Sequence, residues 1–211
     1  MIVMPANSSK NIVHYWAGIY GNLGHIYSPA GWRNPLEWLP YALDNGAYTA
    51  YTKKEPFDEK AFLGLLRKAV SSNQPPMWVT VPDSVGNREE TLSMWDKWAD
   101  RLKNEFGWPL AFVAQDGMTI EDVPRMSDIV FIGGTTGWKQ RSIAEFTKVF
   151  CRVHVGRVNT ETMLYWCHDN GVESCDGTGW FRGRKSQLDE LRRYLRWQAG
   201  KGFRPLKLDL W

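Results

Sequence analysis

Three aspartates each follow a short apolar segment of this 211-residue chain: Asp44, Asp83 and Asp176. An ionised carboxylate can act as a nucleophile, and a protonated one can act as a general acid. If these carboxylates meet in one pocket with unlike surroundings, the sequence predicts chemistry that needs both roles. For any one of them taken alone, capping of the following helix is the structural alternative.

Amide and glycine residues hold the equivalent place after three further apolar segments. Gln115 follows one of them, Gly133 and Gly134 close the next, and Gly156 closes the third. Because glycine has no Cβ, it lets a ligand approach the backbone closely. Together with the aspartates, these residues predict a polar pocket.

The elements that position these residues are eight short segments that alternate with helices or loops, which predicts a parallel sheet. Eight such units favour an α/β fold of the compact (β/α)8 TIM-like barrel type, whose sites lie at the carboxyl ends of the strands. A doubly wound open sheet is the main rival, and no G-x-G-x-x-G motif follows the first strand to support dinucleotide binding. The predicted strands are residues 2–4, 25–27, 41–43, 77–81, 110–114, 129–134, 152–156 and 172–175.

Helix signals fill the intervals between the strands. Ser8 or Ser9 could cap a first helix, Asp58 a second, and Asn159 or Thr160 a later one that ends near Gly171. Further helices are predicted over residues 88–105, near 119–126, over 141–150 and over 186–199.

Length and composition favour one soluble domain, with residues 1–180 as the barrel and residues 181–211 as a basic helix and tail packed on it. This C-terminal segment carries nine Lys and Arg against three acidic residues, although the whole chain has a net charge of only +3. Concentrated positive charge suits a phosphate backbone, and a solvated helix face is the alternative. The candidate phosphate contacts are Arg182, Arg184, Lys185, Arg192, Arg193 and Arg196.

Three cysteines without a C-x-x-C spacing predict neither a disulfide framework nor a zinc site, so we expect no metal and no other cofactor. The sequence contains no apolar run long enough for a membrane span and no signal peptide, which predicts a cytoplasmic protein without a membrane partner.

The order of these motifs resembles the tRNA-guanine transglycosylase superfamily, and most closely its DNA-directed branch, the DpdA-type 7-deazaguanine transglycosylases. The resemblance covers residues 1–180 and consists of short motifs in the family order. They are D-N-G-A-Y at 44–48, an Asp at 83, Q-D-G at 115–117, G-G at 133–134, V-G at 155–156 and an Asp at 176.

The resemblance implies roles for individual residues. Asp176 would be the nucleophile that attacks the sugar C1′, and Asp44 would be the acid/base residue beside the base. Tyr48 would stack on the purine, while Asp83 and Gln115 would hydrogen-bond its edges. The backbone of Gly133 and Gly134 would contact the base, and Gly156 would lie beside a hydrophobic floor that includes Val155.

The chain departs from the tRNA enzymes in ways that bear on the substrate. It has no counterpart of their C-x-C-x-x-C zinc module, which favours DNA over tRNA. Ser84 and Val85 follow Asp83, where the family has Glu-Cys, so the base specificity could differ. The expected partners are DNA, single-stranded or with a flipped guanine, and a free 7-deazaguanine such as 7-cyano-7-deazaguanine. A homodimer or a partner in a modification complex would also be compatible, as would a phage gene acting in the host cytoplasm.

Three other functions stay open at this stage. A TIM-barrel glycosidase or nucleosidase could use the same carboxylates on a small substrate. A tRNA-guanine transglycosylase without the zinc module is the second, and a non-catalytic nucleic-acid-binding subunit is the third.

Overall fold

Eight parallel strands form a nearly closed barrel in a computed structural model that describes residues 1–6, 11–72, 74–183 and 185–204. The strands are β1 (Ile2–Pro5), β2 (His25–Tyr27), β3 (Tyr41–Leu43), β4 (Val79–Thr80), β5 (Leu110–Ala114), β6 (Ile129–Ile132), β7 (Val153–Val155) and β8 (Ser174–Gly177). In the sheet β1 pairs with β8, and the order continues through β7, β6, β5, β4 and β3 to β2. Two isolated parallel bridges, Val3 to Leu23 and Ala6 to Ile26, join β1 to the β2 edge. The predicted TIM-like barrel is therefore confirmed.

Side chains alternate between the two faces of the barrel wall, as the pleat of a strand requires. In β5, for example, Phe112 joins the large apolar core between sheet and helices, whereas Ala111 and Val113 join a smaller cluster inside the barrel. This inner cluster includes Met4 and Trp78, both fully buried. The interior is thus filled by side chains over much of its length.

Helices cover the outside, and local capping signals begin or end several of them. The helices are α1 (Asn11–Tyr20), α2 (Ala47–Lys53), α3 (Glu59–Val70), α4 (Arg88–Phe106), α5 (Thr136–Val149), α6 (Glu161–Asp169), α7 (Gly179–Arg182) and α8 (Lys185–Gln198), with a 3-10 helix at Ile120–Asp122. The Asp58 and Thr160 side chains accept hydrogen bonds from backbone N–H groups at the starts of α3 and α6, as predicted. Gly171, just beyond α6, has a left-handed φ of 76°.

Some boundaries differ from the sequence-based expectation. Strand β8 continues to Gly177 because Asp176 and Gly177 pair with Met4 and Pro5 of β1. Helix α5 begins at Thr136 rather than near residue 141. Just before its first residue, the Asp116 carboxylate accepts a hydrogen bond from the backbone N–H of Thr135. The short helices α2 and α7 were not predicted. The proposed caps Ser8 and Ser9 lie outside the described residues.

The C-terminal segment packs on the barrel. Helix α8 contacts α1, α6 and α7, and Gln198 Nε2 donates to the carbonyl oxygen of Met1 at 2.8 Å. The expected boundary after residue 180 falls within α7, whose Trp180 and Phe181 are both buried. Residues 205–211 lie outside the described residues. Among the helices that are described, none is long and apolar enough to cross a membrane.

Barrel closure depends on a close backbone approach at Gly24. Its N–H donates to the carbonyl oxygen of Val3 at 3.0 Å, and a Cβ added there would lie 2.6 Å from the carbonyl oxygen of Pro40. We expect Gly24→Ala to lower the free energy of unfolding by about 1–3 kcal/mol, because the backbone at Pro40, just before β3, must shift relative to residue 24.

The matched control is Gly18→Ala in the exposed part of α1, where an added Cβ meets nothing within 4 Å. This change should raise stability by about 0.5–1 kcal/mol. Urea denaturation of both variants measures the difference. Equal effects of the two substitutions would show that the close approach to Pro40 does not constrain residue 24.

Candidate active site

A cavity of about 560 Å³ opens at the carboxyl ends of the strands. Its floor includes apolar side chains of Ile26, Val113 and Phe131. The structure brings most of the sequence-predicted site residues together around it. Those that line the cavity are Asp44, Tyr48, Asp83, Gln115, Gly133, Gly134, Gly156, Asp176 and Arg182.

Val155 is the exception among the predicted base contacts. It is fully buried in the core between sheet and helices, and it does not line the cavity. The cause is strand alternation, because Gly156 beside it faces the interior. The expectation that Val155 forms the floor is corrected, and Phe131 and Val113 hold that place.

The basic residues are spread over a longer surface. Arg182 lines the cavity mouth and Lys185 begins α8, whereas Arg184 lies outside the described residues. Along α8, Arg193 forms an ion pair with Glu161 at 2.5 Å. Arg192 and Arg196 are exposed on the same helix and do not line the cavity.

Asp176 projects into the barrel from β8, and both of its carboxylate oxygens have close nitrogen neighbours. The backbone N–H of Arg157 donates to Oδ1 at 3.2 Å, and Nε2 of His154 lies 3.2 Å from Oδ2. Gly156 leaves room for this arrangement, because an added Cβ would lie 3.3 Å from Oδ2 and 2.6 Å from the Phe131 ring. The carboxylate is therefore buried and oriented, with 8% of the residue exposed.

Asp83 is held by two side-chain amides. Asn45 Nδ2 donates to one carboxylate oxygen at 2.7 Å, and Gln115 Nε2 donates to the other at 2.6 Å. Burial raises the pKa of Asp83 to about 6, although these two hydrogen bonds favour the charged form. Close by, the hydroxyl of Thr80 is buried, faces the cavity and has no partner among the described residues. A polar ligand could supply that partner.

Asp44 follows β3, and its pKa is raised further than that of Asp83. Burial is the main cause, and repulsion from Asp176 and Asp83 adds to it, so that the pKa of Asp44 rises to about 7. Hydrogen bonds from the backbone N–H groups of Gly46, at 3.2 Å, and of Asn45 act in the opposite direction. Asp44 can therefore exchange a proton near neutral pH, as a general acid or base must.

The side chain of Arg157, which follows β7, contacts residues that follow β6 and β3 above the cavity. Its guanidinium donates to the carbonyl oxygens of Gly133 and Gly134, and it lies 4.4 Å from the centre of the Tyr48 ring. The residue has a left-handed φ of 56°, which costs a non-glycine residue about 1–3 kcal/mol. In this conformation the backbone N–H of Arg157 donates a hydrogen bond to Oδ1 of Asp176.

Lys139, on α5, is almost fully buried, with 2% of the residue exposed. Its ammonium group donates to the carbonyl oxygen of Gly156 at 2.6 Å. Burial, together with the nearby Arg157, lowers the pKa of Lys139 to about 8, and Asp176 partly offsets this effect. The lysine fixes the backbone next to the Asp176 carboxylate.

The sequence analysis missed several polar residues of the site, among them Asn45, Lys139, His154 and Arg157. His154 could have been found, because it lies two residues before Gly156 and strand alternation puts both on the inner face. Asn45 and Arg157 adjoin predicted site residues. No sequence signal marks Lys139, which was expected to lie just before a helix rather than inside one.

Within the described parts of the chain, no three His, Cys, Asp or Glu side chains gather closely enough to hold a metal ion. Comparison of the chain with known protein families and with curated proteins gave no match to either.

The raised pKa of Asp44 predicts a pH-dependent stability. Between the ordinary aspartate pKa of roughly 4 and the folded-state value of about 7, the folded protein holds a proton that the unfolded chain has lost. The free energy of unfolding should therefore fall as the pH rises through this window. Asp44→Asn should weaken that decline and stabilise the protein at pH 8 by about 1–3 kcal/mol.

Urea denaturation from pH 4 to pH 8 measures this effect. Asp100→Asn, on the exposed face of α4, is the matched control and should follow the wild-type curve. A decline of unchanged slope in Asp44→Asn would mean that Asp44 is ionised throughout the range.

Proposed function

We propose that this protein is a pentosyltransferase that exchanges guanine in DNA for a 7-deazaguanine base through a covalent aspartyl-glycosyl intermediate. One observation carries the proposal. A single cavity gathers an oriented carboxylate, Asp176, a second carboxyl group with a pKa of about 7, Asp44, and an Asp83–Gln115 pair able to bind a polar heterocycle.

In the first half-reaction, a carboxylate oxygen of Asp176 forms a bond to C1′ of the nucleotide. The bond from C1′ to N9 of guanine breaks, and its electron pair goes to the base. Protonated Asp44 supplies the proton that the departing base takes up. The sugar is then held as an ester of Asp176, and the DNA backbone stays intact.

The second half-reaction reverses these steps with a different base. The nitrogen of the incoming 7-deazaguanine attacks C1′, and the bond from C1′ to the Asp176 oxygen breaks. The electron pair returns to the carboxylate, and ionised Asp44 accepts the proton lost by the incoming base. A carboxyl group with a pKa of about 7 suits this double role, because both of its protonation states are populated near neutral pH.

Recognition of the base would rest on the polar wall of the cavity. The edge of guanine presents adjacent N–H donors, and an ionised carboxylate offers only acceptors. Asp83 therefore complements that edge, while the apolar floor of Val113 and Phe131 suits the flat ring. Tyr48 would stack on the base at the mouth, where Arg157 already covers its ring.

C1′ of a paired nucleotide is hard to reach, so the target base should be flipped out or lie in a single strand. The cations at the mouth, Lys53 and Arg182, are placed to contact the phosphates beside such a base. A positively charged mouth above three carboxylates matches a ligand with an uncharged, donor-rich base and an anionic backbone.

A small-substrate glycosidase or nucleosidase is the second candidate. It would use the same Asp176 and Asp44, with water in place of the incoming base. The observation in its favour is that cations of the C-terminal segment are engaged within the protein: Arg193 pairs with Glu161, and Arg204 pairs with Asp169.

A base-exchange assay tests the proposal. The protein is incubated with DNA, or separately with tRNA, and labelled guanine or 7-cyano-7-deazaguanine is followed into the polymer. We expect incorporation into DNA and its loss by at least about a thousandfold in Asp176→Asn, because the nucleophile is removed. The control Asp100→Asn should retain wild-type activity.

Each other outcome has a defined meaning. Incorporation into tRNA alone would identify a tRNA enzyme without the zinc module. Release of free base from a nucleoside without incorporation would favour the glycosidase. No reaction with any substrate, together with retained DNA binding, would point to a non-catalytic subunit.

The phosphate role of Arg182 gives a separate prediction. Arg182→Ala should weaken DNA binding equally for all sequences, and it should lower the slope of log affinity against log salt by about one. Arg125→Ala removes the same charge near the amino end of β6, so it should change neither quantity. A loss confined to one DNA sequence would contradict a phosphate contact.

A further inference from the structure

His154 occupies an unusual place for an ionisable side chain. It is 0% exposed inside the barrel, with its ring centroid 4.8 Å from that of Trp78 and 4.5 Å from that of Phe131. It does not line the cavity, so a ligand there meets Asp176 rather than the imidazole. The two aromatic neighbours restrict the position of the imidazole ring.

Both ring nitrogens of His154 have polar partners on β8. Nδ1 lies 2.8 Å from the Ser174 hydroxyl, and Nε2 lies 3.2 Å from Oδ2 of Asp176. The register explains this, because His154 is paired with Ser174, and Asp176 is the next inward-facing residue of the same strand. The ring therefore bridges a hydroxyl and a carboxylate that the sheet holds in fixed positions.

The chemistry of the partners selects one tautomer. A carboxylate only accepts hydrogen bonds, so Nε2 must carry a hydrogen to bond Asp176. In that neutral form, Nδ1 is free to accept from the Ser174 hydroxyl, and every polar atom of the group is satisfied. The opposite tautomer would set the Nε2 lone pair against a carboxylate oxygen at 3.2 Å.

We propose that His154 is a positioning residue that donates a hydrogen bond from Nε2 to Asp176, and that the Ser174 hydroxyl supports this arrangement by donating to Nδ1. The consequence for catalysis rests on the proposed function. When the bond from C1′ to Asp176 breaks, negative charge returns to the carboxylate, and the donor stabilises it as a leaving group. Loss of the donor should therefore slow the second half-reaction more than the first.

The kinetic test compares two substitutions at this position. His154→Phe keeps a flat ring but removes the donor, and His154→Gln keeps an N–H group at a similar reach. We expect His154→Phe to lower kcat about 10- to 100-fold with little change in the KM for DNA. The fraction of covalent protein–DNA adduct trapped by denaturation should rise, and His154→Gln should recover part of the rate.

His168→Gln is the matched control, since His168 bonds Tyr194 on the outside of the barrel. It should leave kcat and the adduct fraction at wild-type values. Normal turnover in His154→Phe, or a slow variant in which the adduct fraction falls, would overturn the proposal.

A second measurement needs no substrate. The ¹⁵N chemical shifts of the imidazole in the intact protein, assigned by comparison with His154→Gln, should identify a hydrogen on Nε2 and none on Nδ1. Ser174→Ala should reduce this preference. A hydrogen on Nδ1 alone overturns the proposal, and hydrogens on both nitrogens refute the role of Ser174.

The kinetic and chemical-shift experiments distinguish a failure of the proposed function from a failure of the role proposed for His154. A wild-type protein with the expected tautomer but without base exchange refutes the proposed function and retains the hydrogen bond. Base exchange with the wrong tautomer retains the function and refutes the role of His154.

Discussion

The pairing of β8 between β1 and β7 is the constraint on which the site depends. It aligns Asp176 with Met4 on one side and puts Ser174 opposite His154 on the other. Because alternate residues of a strand face the same side, Ser174 and Asp176 both enter the barrel, while Cys175 between them packs among the helices. A shift of one residue in this register would bury the cysteine in the site and turn the carboxylate outwards.

Electrostatics in the cavity follow from putting three carboxylates in one partly closed space. Burial raises the pKa of both Asp44 and Asp83, and repulsion from Asp176 and Asp83 adds to the rise at Asp44. Asp83 receives hydrogen bonds from two side-chain amides, whereas Asp44 receives them from the backbone N–H groups of Gly46 and Asn45. Unequal hydrogen bonding thus gives neighbouring groups of the same type different acidities, as division of labour between an acid and a base requires.

The sequence predicted the fold because short apolar segments alternate with helix signals along the chain and several helices carry their own caps, such as Asp58. It also predicted the residues at the carboxyl ends of the strands, since a parallel barrel brings all of these ends to one edge. It failed at Val155, where adjacency in the sequence was taken for adjacency in the pocket. Lys139 and His154 could not be assigned roles, because their partners are a backbone carbonyl and an opposing strand whose positions depend on the barrel register.

The cavity opens at the carboxyl ends of the strands, above the packed interior of the barrel. The side chains of Met4, Trp78, Phe131 and His154 fill the space beneath it. A ligand that enters past Tyr48 and Arg157 therefore meets a packed interior and leaves on the side from which it came. Two ligands that both bind Asp83 and Gln115 must therefore bind one after the other, and the first must dissociate before the second can enter. If the proposed base exchange takes place in this cavity, it must follow a ping-pong order, with Asp176 holding the sugar between the departure of one base and the arrival of the next.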